Sequence, residues 1–233
     1  MAEILRVATF NICGCRGIDG RRDVGRTAET IASLDADCVC IQELNRPLFS
    51  SFGKSSVDPI RAIEAAGTRL IFLPTVGGRL GGFGNAVATR LPVLSVRSRM
   101  LPSLRERRGV LQVTLASKIG TVSLCCVHFG LNADERRRHA DAISAWVGSC
   151  ETPLAILGDF NESPDGTAVT QLRQSLSLLD AGELSSSPTY PSDHPSARID
   201  LALHSRHLQA SRVEVVPSLS SDHLPVVVDF EMG

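Results

Sequence analysis

Leu154-Ala155-Ile156-Leu157-Gly158-Asp159-Phe160-Asn161 is the stretch on which the reading of this chain turns. A short apolar run fits a buried strand, and it delivers a carboxylate and a carboxamide to its exit. Open α/β folds place their ligands at the carboxyl ends of strands, so Asp159 and Asn161 read as chemistry rather than as turn residues. Near the C-terminus, Ser221-Asp222-His223 can complete such a site. Gly-Asp-Phe-Asn by itself is only a turn pattern, and its meaning depends on whether other strands end in the same way.

Working outward, strand-like runs occur at Leu5 to Phe10, Asp37 to Ile41, Arg69 to Leu73, Asn85 to Thr89, Val110 to Leu115, Thr121 to Val127, Ile199 to Leu203 and Leu224 to Phe230. Between them lie helical patterns. Val24, Ala28 and Ile31 share one face of Asp23 to Leu34; Ala140, Ile143 and Val147 share one face of Ala133 to Val147; Val169, Leu172, Leu176 and Leu179 share one face of Thr167 to Leu179. Each helix has one apolar face that a sheet must cover. Strands and helices alternate early, while the C-terminal third carries shorter pieces and a Ser/Pro-rich loop from Ser185 to Ala197. The expected fold class is therefore α/β (α+β in some schemes), a mixed sheet pair with helices outside rather than a parallel doubly wound sheet. Gly77-Gly78 and Gly81-Gly82-Phe83-Gly84 read as a glycine-dense loop, either a substrate lip or a set of tight turns.

The other strands do end in the same way. Val7-Ala8-Thr9-Phe10 ends in Asn11, Cys38 to Ile41 in Gln42-Glu43, and Ser123 to Val127 in His128; later come Arg198-Ile199-Asp200 and Asp222-His223. A single polar strand end is ordinary solvation. A series drawn from Asn, Glu, Asp and His is the makings of a site.

Composition narrows the alternatives. At 233 residues and 43% hydrophobic, the chain can bury a substantial core, and polar motifs spread from Asn11 to His223 favour one domain, residues 1–233. The net charge of −1 gives no whole-molecule attraction to nucleic acid. The N-terminus shows no apolar signal segment, and no apolar run is long enough to span a bilayer, so a cytoplasmic protein without a transmembrane segment is expected. Seven cysteines without Cys-x-x-Cys spacing read as reduced core thiols; a catalytic Cys125 or Cys126 beside His128 is the weaker reading, because adjacent strand residues face opposite sides. No Gly-x-Gly-x-x-Gly opens a helix and no phosphate loop is present, which removes the usual support for nucleotide binding.

Oxygen-rich ligands of this kind suit a hard cation, Mg²⁺ or Mn²⁺, better than zinc. Glu43 is the best single ligand candidate, with Asn11 beside it. Two histidines accompanied by carboxylates point to a hydrolytic centre in which a carboxylate orients an imidazole and the imidazole meets developing charge on phosphate.

Taken in order, Thr9-Phe10-Asn11, Ile41-Gln42-Glu43, Val127-His128, Gly158-Asp159-Phe160-Asn161, Arg198-Ile199-Asp200 and Ser221-Asp222-His223 resemble the endonuclease/exonuclease/phosphatase superfamily over nearly the whole chain. The resemblance implies a four-layer αββα sandwich and metal-dependent cleavage of phosphoesters. It implies that Glu43 binds the metal, that Asn11 is a ligand or phosphate contact, and that Asp222 sits near the same metal or a second one. Asp159 would activate or position water, Asn161 would orient phosphate or water, and Asp200 would hold His223 in its tautomer. His223 would stabilise the transition state, and His128 matches a second phosphate-facing histidine of the deoxyribonuclease and sphingomyelinase branches.

For the substrate, Asn85 and Arg108 are favoured as contacts, with Arg16 equally a surface residue. Arg136 to Arg138 read as a solvated helix face and Trp146 as core. The partner is a phosphoester, whether nucleic acid, phospholipid headgroup or small phosphodiester. Scarce aromatics lower a DNA-repair type of nuclease. A sphingomyelinase-like or glycolipid phosphodiesterase would want an apolar mouth around Phe49, Phe52 and Phe83. A sugar- or inositol-phosphate phosphatase would use Arg105, Arg107 and Arg108. A non-catalytic binding module would be expected to lack part of the set, and none is missing.

Overall fold

The computed structural model describes residues 3–46, 57–78, 81–148 and 152–233. In chain order its strands are β1 (Leu5–Asn11), β2 (Cys38–Arg46), β3 (Arg69–Gly78), β4 (Gly81–Thr89), β5 (Val93–Met100), β6 (Gly109–Ser117), β7 (Gly120–His128), β8 (Leu154–Asp159), β9 (Leu179–Asp180), β10 (Asp200–His204), β11 (Leu208–Val215) and β12 (Val226–Met232). The α-helices are α1 (Val24–Ser33), α2 (Pro59–Glu64), α3 (Ala133–Val147) and α4 (Thr167–Leu176).

Two six-stranded sheets result, ordered β11-β12-β1-β2-β4-β3 and β5-β6-β7-β8-β10-β9. Each is mixed: β1 and β2 are parallel in the first, β7 and β8 in the second, and the remaining neighbours are antiparallel.

The alternation of side chains along each strand builds the layers. Leu5 and Val7 of β1, Cys38 and Cys40 of β2, Leu124 and Cys126 of β7, Ala155 and Leu157 of β8, and Val226, Val228 and Phe230 of β12 meet in a core between the sheets. Their sequence neighbours point outward. Ala8, Phe10, Val39 and Ile41 pack with Val24 and Ile31 of α1 and Ile63 of α2. Cys125, Val127, Ile156, Leu201 and Leu203 pack with Ala140 and Ile143 of α3 and Val169 and Leu172 of α4. The four layers expected from the sequence are therefore α, β, β, α. Cys38, Cys40, Cys125 and Cys126 are reduced, buried thiols in these cores.

Helix α3 has the bounds that the pattern predicts. Asn132 caps it, its Oδ1 accepting from the amides of Asp134 at 2.9 Å and Glu135 at 3.4 Å, and Gly148 closes it. Helix α4 stops earlier than predicted: Ser177 takes a left-handed cap, and Leu179 falls into β9. The glycine-dense segment is a hairpin of β3 and β4, not a loop. A Cβ at Gly84 would stand 2.1 Å from the carbonyl oxygen of Leu73, so the close approach of the paired strands demands glycine. Trp146 is half-buried at the edge of its core, with the Arg97 guanidinium 4.8 Å over its ring. Phe49 and Phe52 lie outside the described residues, and Phe83 is half-buried in β4.

Candidate active site

The carboxyl ends of β1, β2, β7 and β8 meet at one end of the inter-sheet core, and the start of β10 joins them because it runs antiparallel to β8. Register sets the spacing within the second sheet: His128 pairs with Asp159, and Asp159 with Asp200, so three neighbouring strands present these side chains in a row. The inward alternation Leu5, Val7, Thr9 carries Asn11 to the same place from the first sheet, where its Nδ2 donates to Asp159 Oδ2 at 3.0 Å.

Glu43 would miss this place in a regular strand. Val39 and Ile41 face α1, so the next odd position should face it too. The pairing of β2 with β4 slips between Ile41 and Leu44, and Glu43 there has a φ of 59°. This bulge turns the carboxylate inward, where Oε1 accepts from Asn11 Nδ2 at 3.3 Å and lies 4.0 Å from His128 Nε2. A glutamate held left-handed at a bulge is strain retained at a site. Asn161, at φ 50°, is a second such residue; its amide donates to Asp159 Oδ1 at 2.8 Å and its Nδ2 to the Phe129 carbonyl at 3.0 Å. Gly158 lets β8 pass β7, since a Cβ there would sit 1.9 Å from the Val127 carbonyl oxygen.

Ser221-Asp222-His223 enters from the loop between β11 and β12. Ser221 Oγ donates to the Asn11 carbonyl at 2.6 Å and fixes the loop to β1. His223 Nδ1 lies 2.9 Å from Asp200 Oδ2, and its Nε2 is 3.8 Å from Asp159 Oδ2. Burial opposes charge on this ring, but Asp200, Asp159 and Asp222 outweigh it and lift the pKa to about 9, so His223 is an imidazolium at neutral pH. Burial raises the Asp200 carboxyl against the pull of His223 and Thr189. Burial also opposes charge on Asp159, yet His128, His223 and the Asn161 amide hold its carboxyl at about 2. Asp159 is thus ionised, a good hydrogen-bond acceptor and a weak base.

The two histidines differ. His128 Nδ1 lies 2.8 Å from Arg108 Nη1. A guanidinium can only donate, so Nδ1 is the bare nitrogen and the proton is on Nε2, aimed at Asp159 Oδ2 at 3.3 Å. His128 is thus held through Nδ1 by an arginine and His223 through Nδ1 by a carboxylate, on two sides of Asp159.

Glu43 and Asp222 converge on Cys13. Burial first, then the charges of Asp222 and Glu43, push that thiol up to about 12. Among the described residues neither carboxylate is within ion-pair distance of an arginine or lysine. Two carboxylates without an arginine or lysine partner, beside the Asn11 amide, are a fitting donor set for a hard divalent cation. Asp159, Asp200 and His223 also offer ligand atoms within 4.8 Å of one another, but a protonated His223 has no lone pair to give.

The structure thus brings Asn11, Glu43, His128, Asp159, Asn161, Asp200, Asp222 and His223 together. Asn85 is close by, buried, and ties the two sheets by donating to the Gly109 carbonyl at 2.9 Å. Arg108 is also buried; it holds His128 and pairs with Glu106 at 3.0 Å. Arg16 is exposed and bonds within its own loop, to the Gly20 carbonyl at 2.7 Å. Arg137 and Arg138 are solvated as expected, whereas Arg136 is half-buried and donates to the Leu131 carbonyl at 2.7 Å.

Two contributors escaped sequence reasoning. Thr189 Oγ1 donates to Asp200 Oδ2 at 2.6 Å, and the Tyr190 ring packs against His223, tilted by 43° with centroids 4.7 Å apart. Both lie in the Ser/Pro-rich loop, where no periodicity marks them.

The sequence pattern of the Endonuclease/Exonuclease/phosphatase family matches residues 8–223. Among solved structures, an endonuclease/exonuclease/phosphatase from Bacteroides vulgatus is similar at 20% identity and a TM-score of 0.81, over 99% of this chain and 99% of that one. Mannosyl-6-phosphatase from Bacteroides thetaiotaomicron is similar at 17% identity and 0.78, over 97% and 99%. The human Nocturnin catalytic domain with bound sulfate is similar at 20% identity and 0.74, over 100% and 96%. No curated protein matches the sequence. These structural likenesses fix the fold, and the sequence match covering residues 8–223 shows that the chain belongs to the Endonuclease/Exonuclease/phosphatase family, whose members are hydrolases of phosphoester bonds.

Proposed function

We propose that this protein, as one catalytic domain, is a divalent-metal-dependent phosphoesterase that hydrolyses a phosphodiester or phosphomonoester by in-line attack of water. The observation that carries the reading is the meeting, from both sheets, of Glu43 and Asp222, which among the described residues pair with no arginine or lysine, and an ionised Asp159 flanked by two imidazoles. Glu43, Asn11 and Asp222 would hold Mg²⁺ or Mn²⁺, which supplies charge neutralisation at the phosphate oxygens.

The chain's own residues do the rest. Asp159, ionised and bound by the Asn161 amide, would accept a hydrogen bond from the attacking water, aim it, and take its proton as the O–P bond forms and the ester oxygen leaves. Asn161 is locked beside it by its backbone and side-chain bonds. His223, held through Nδ1 by Asp200, directs Nε2–H at oxygens that gain charge in the transition state, and His128 directs its own Nε2–H from the other side. Asp200 in turn is fixed by Thr189.

The relatives with an assigned name include a mannosyl-6-phosphatase, which supports phosphate-ester chemistry on this scaffold. No required group is missing, which argues against a non-catalytic module. The test is hydrolysis of bis(p-nitrophenyl) phosphate and p-nitrophenyl phosphate with Mg²⁺ or Mn²⁺ added, before and after chelation. Turnover should vanish with chelator and fall by at least about 10²-fold in Glu43→Gln, Asp159→Asn and His223→Gln, each still folded by circular dichroism. Undiminished activity in all three would sink the assignment.

A further inference from the structure

Beneath the candidate active site, a line of polar groups crosses the apolar core between the sheets. Thr9 Oγ1 donates to Gln42 Oε1 at 3.2 Å, Gln42 Nε2 donates to Cys126 Sγ at 3.3 Å, and Cys126 Sγ donates to the Ile41 carbonyl at 3.5 Å. Thr9, Gln42 and Cys126 are all fully buried; the first two come from β1 and β2 of one sheet and Cys126 from β7 of the other. A carboxamide in such a core is costly unless both of its ends are bonded, and here both are. An aliphatic side chain of similar length would fill the space with no polar group to satisfy. What it would lack is direction, since a hydrogen bond fixes orientation and apolar packing is non-directional.

Direction matters at this position because Gln42 and Glu43 are the two residues at which the pairing of β2 with β4 slips. On its other side Gln42 keeps its place, in register with Asn11, and its carbonyl accepts from the Ile12 amide at 3.1 Å. That bond holds the peptide plane from which Glu43 turns to its φ of 59°. Cys126 meanwhile grips both the Gln42 amide and the Ile41 carbonyl. Beyond the slip, Leu44 is fully buried in the outer core beside Ile41. Glu43 therefore stands between a residue pinned inward by directional bonds and one pinned outward by apolar packing, and the left-handed turn between them sends its carboxylate toward Asn11 and His128.

Resting on the phosphoesterase reading, we infer that Gln42 is a positioning residue for the cation site, buried beneath Glu43 and acting by holding that glutamate in its left-handed, inward setting. A group that orients a metal ligand in this way governs affinity for the ion.

The test is Mn²⁺ binding, read by electron paramagnetic resonance of the free ion, in the native protein, Gln42→Met and Val113→Ala. Gln42→Met nearly keeps the length of the side chain and loses both hydrogen bonds; Val113→Ala opens the same core from β6 and has no part in the clamp. Gln42→Met should weaken Mn²⁺ binding by about 10- to 100-fold. Val113→Ala should melt at a lower temperature than the native protein and still bind Mn²⁺ within about twofold of it. Native affinity in Gln42→Met, or an equal loss in Val113→Ala, overturns the inference. Should Gln42→Met fail to fold, Thr9→Val unbonds one end of the amide at nearly constant shape; binding weaker by about threefold or more supports the inference, and unchanged binding overturns it. If the native protein binds no Mn²⁺, the phosphoesterase reading fails, and crystal structures of the native protein and the folded variant judge the clamp by itself. Glu43 released from its positive φ and from Asn11 Nδ2 in the variant would support the inference; an unmoved Glu43 would overturn it.

Discussion

Acid should weaken this protein through His139, a histidine outside the candidate site that holds its surroundings together. The ring is fully buried on α3 and packs edge-on to Phe129 at 5.6 Å. Its Nδ1 accepts the Gly130 amide proton at 3.3 Å, so the ring proton is on Nε2, next to Ser103 Oγ at 3.5 Å. One imidazole thereby joins the segment at Ser103 to the segment at Gly130. Burial drives its pKa from the ordinary 6.5 down to about 4, with Glu135 opposing, and protonation would set a second N–H against that of Gly130. The unfolded chain takes up its proton near 6.5 and the native ring only near 4, so the contribution is complete above about 6.5 and is lost as pH falls toward about 4. At about 1.36 kcal/mol per pH unit, the loss is about 2 kcal/mol at pH 5 and about 3 kcal/mol once both states are protonated. Urea unfolding of the native protein and His139→Gln between pH 7.5 and 4 isolates this contribution, because the carboxylates titrate alike in both. A difference between the two that stays flat from pH 7.5 to 5, or a ring pKa near 6.5 by NMR, would refute the reasoning.

Other perturbations follow from single contacts. Arg108→Met frees His128 Nδ1, so the ¹⁵N shifts of that ring should change from one tautomer to a mixture, and turnover should fall by roughly 10- to 100-fold; unchanged shifts would deny Arg108 its positioning role. Asp200→Asn keeps the shape but removes the charge that holds His223, and kcat should drop by roughly 10²- to 10⁴-fold while thermal unfolding changes little. Arg198→Met strands Asp180, which is buried and bound to that arginine at 2.5 Å, and should cost about 3 kcal/mol in urea unfolding with the substrate KM unchanged.

The parts legible in the sequence were those in which periodicity and chemistry coincide. Strands β1, β7 and β8 are apolar runs that alternate between two cores and then end in a polar residue, so the pattern marks both the element and its functional tip. Strands β5 and β11 were missed for the converse reason: each is an edge strand, the outermost β5 is largely exposed, and polar residues such as Arg97 and Arg212 mask any apolar alternation. Helix α2 was too short to show a face, though Asp58 and Pro59 are ordinary start signals.

Glu43 shows where pattern reading succeeds for an incomplete reason. Its identity as an acid after a buried strand nominated it, but a strict period of two would have pointed it at α1. It reaches the site because a bulge breaks the alternation, and no rule of spacing announces that bulge. Arg108 shows the opposite. Its nomination as a phosphate contact came from its chemistry, and the fold places it behind His128, where it sets which nitrogen carries the proton. The role of a site residue thus depends on which partner the tertiary structure supplies. That is why the list of strand ends could be read from one chain while the different anchors of the two histidines, an arginine for one and a carboxylate for the other, could not: the Arg108–His128 and Asp200–His223 pairs each join residues about twenty positions apart, brought together only once the sheets have formed.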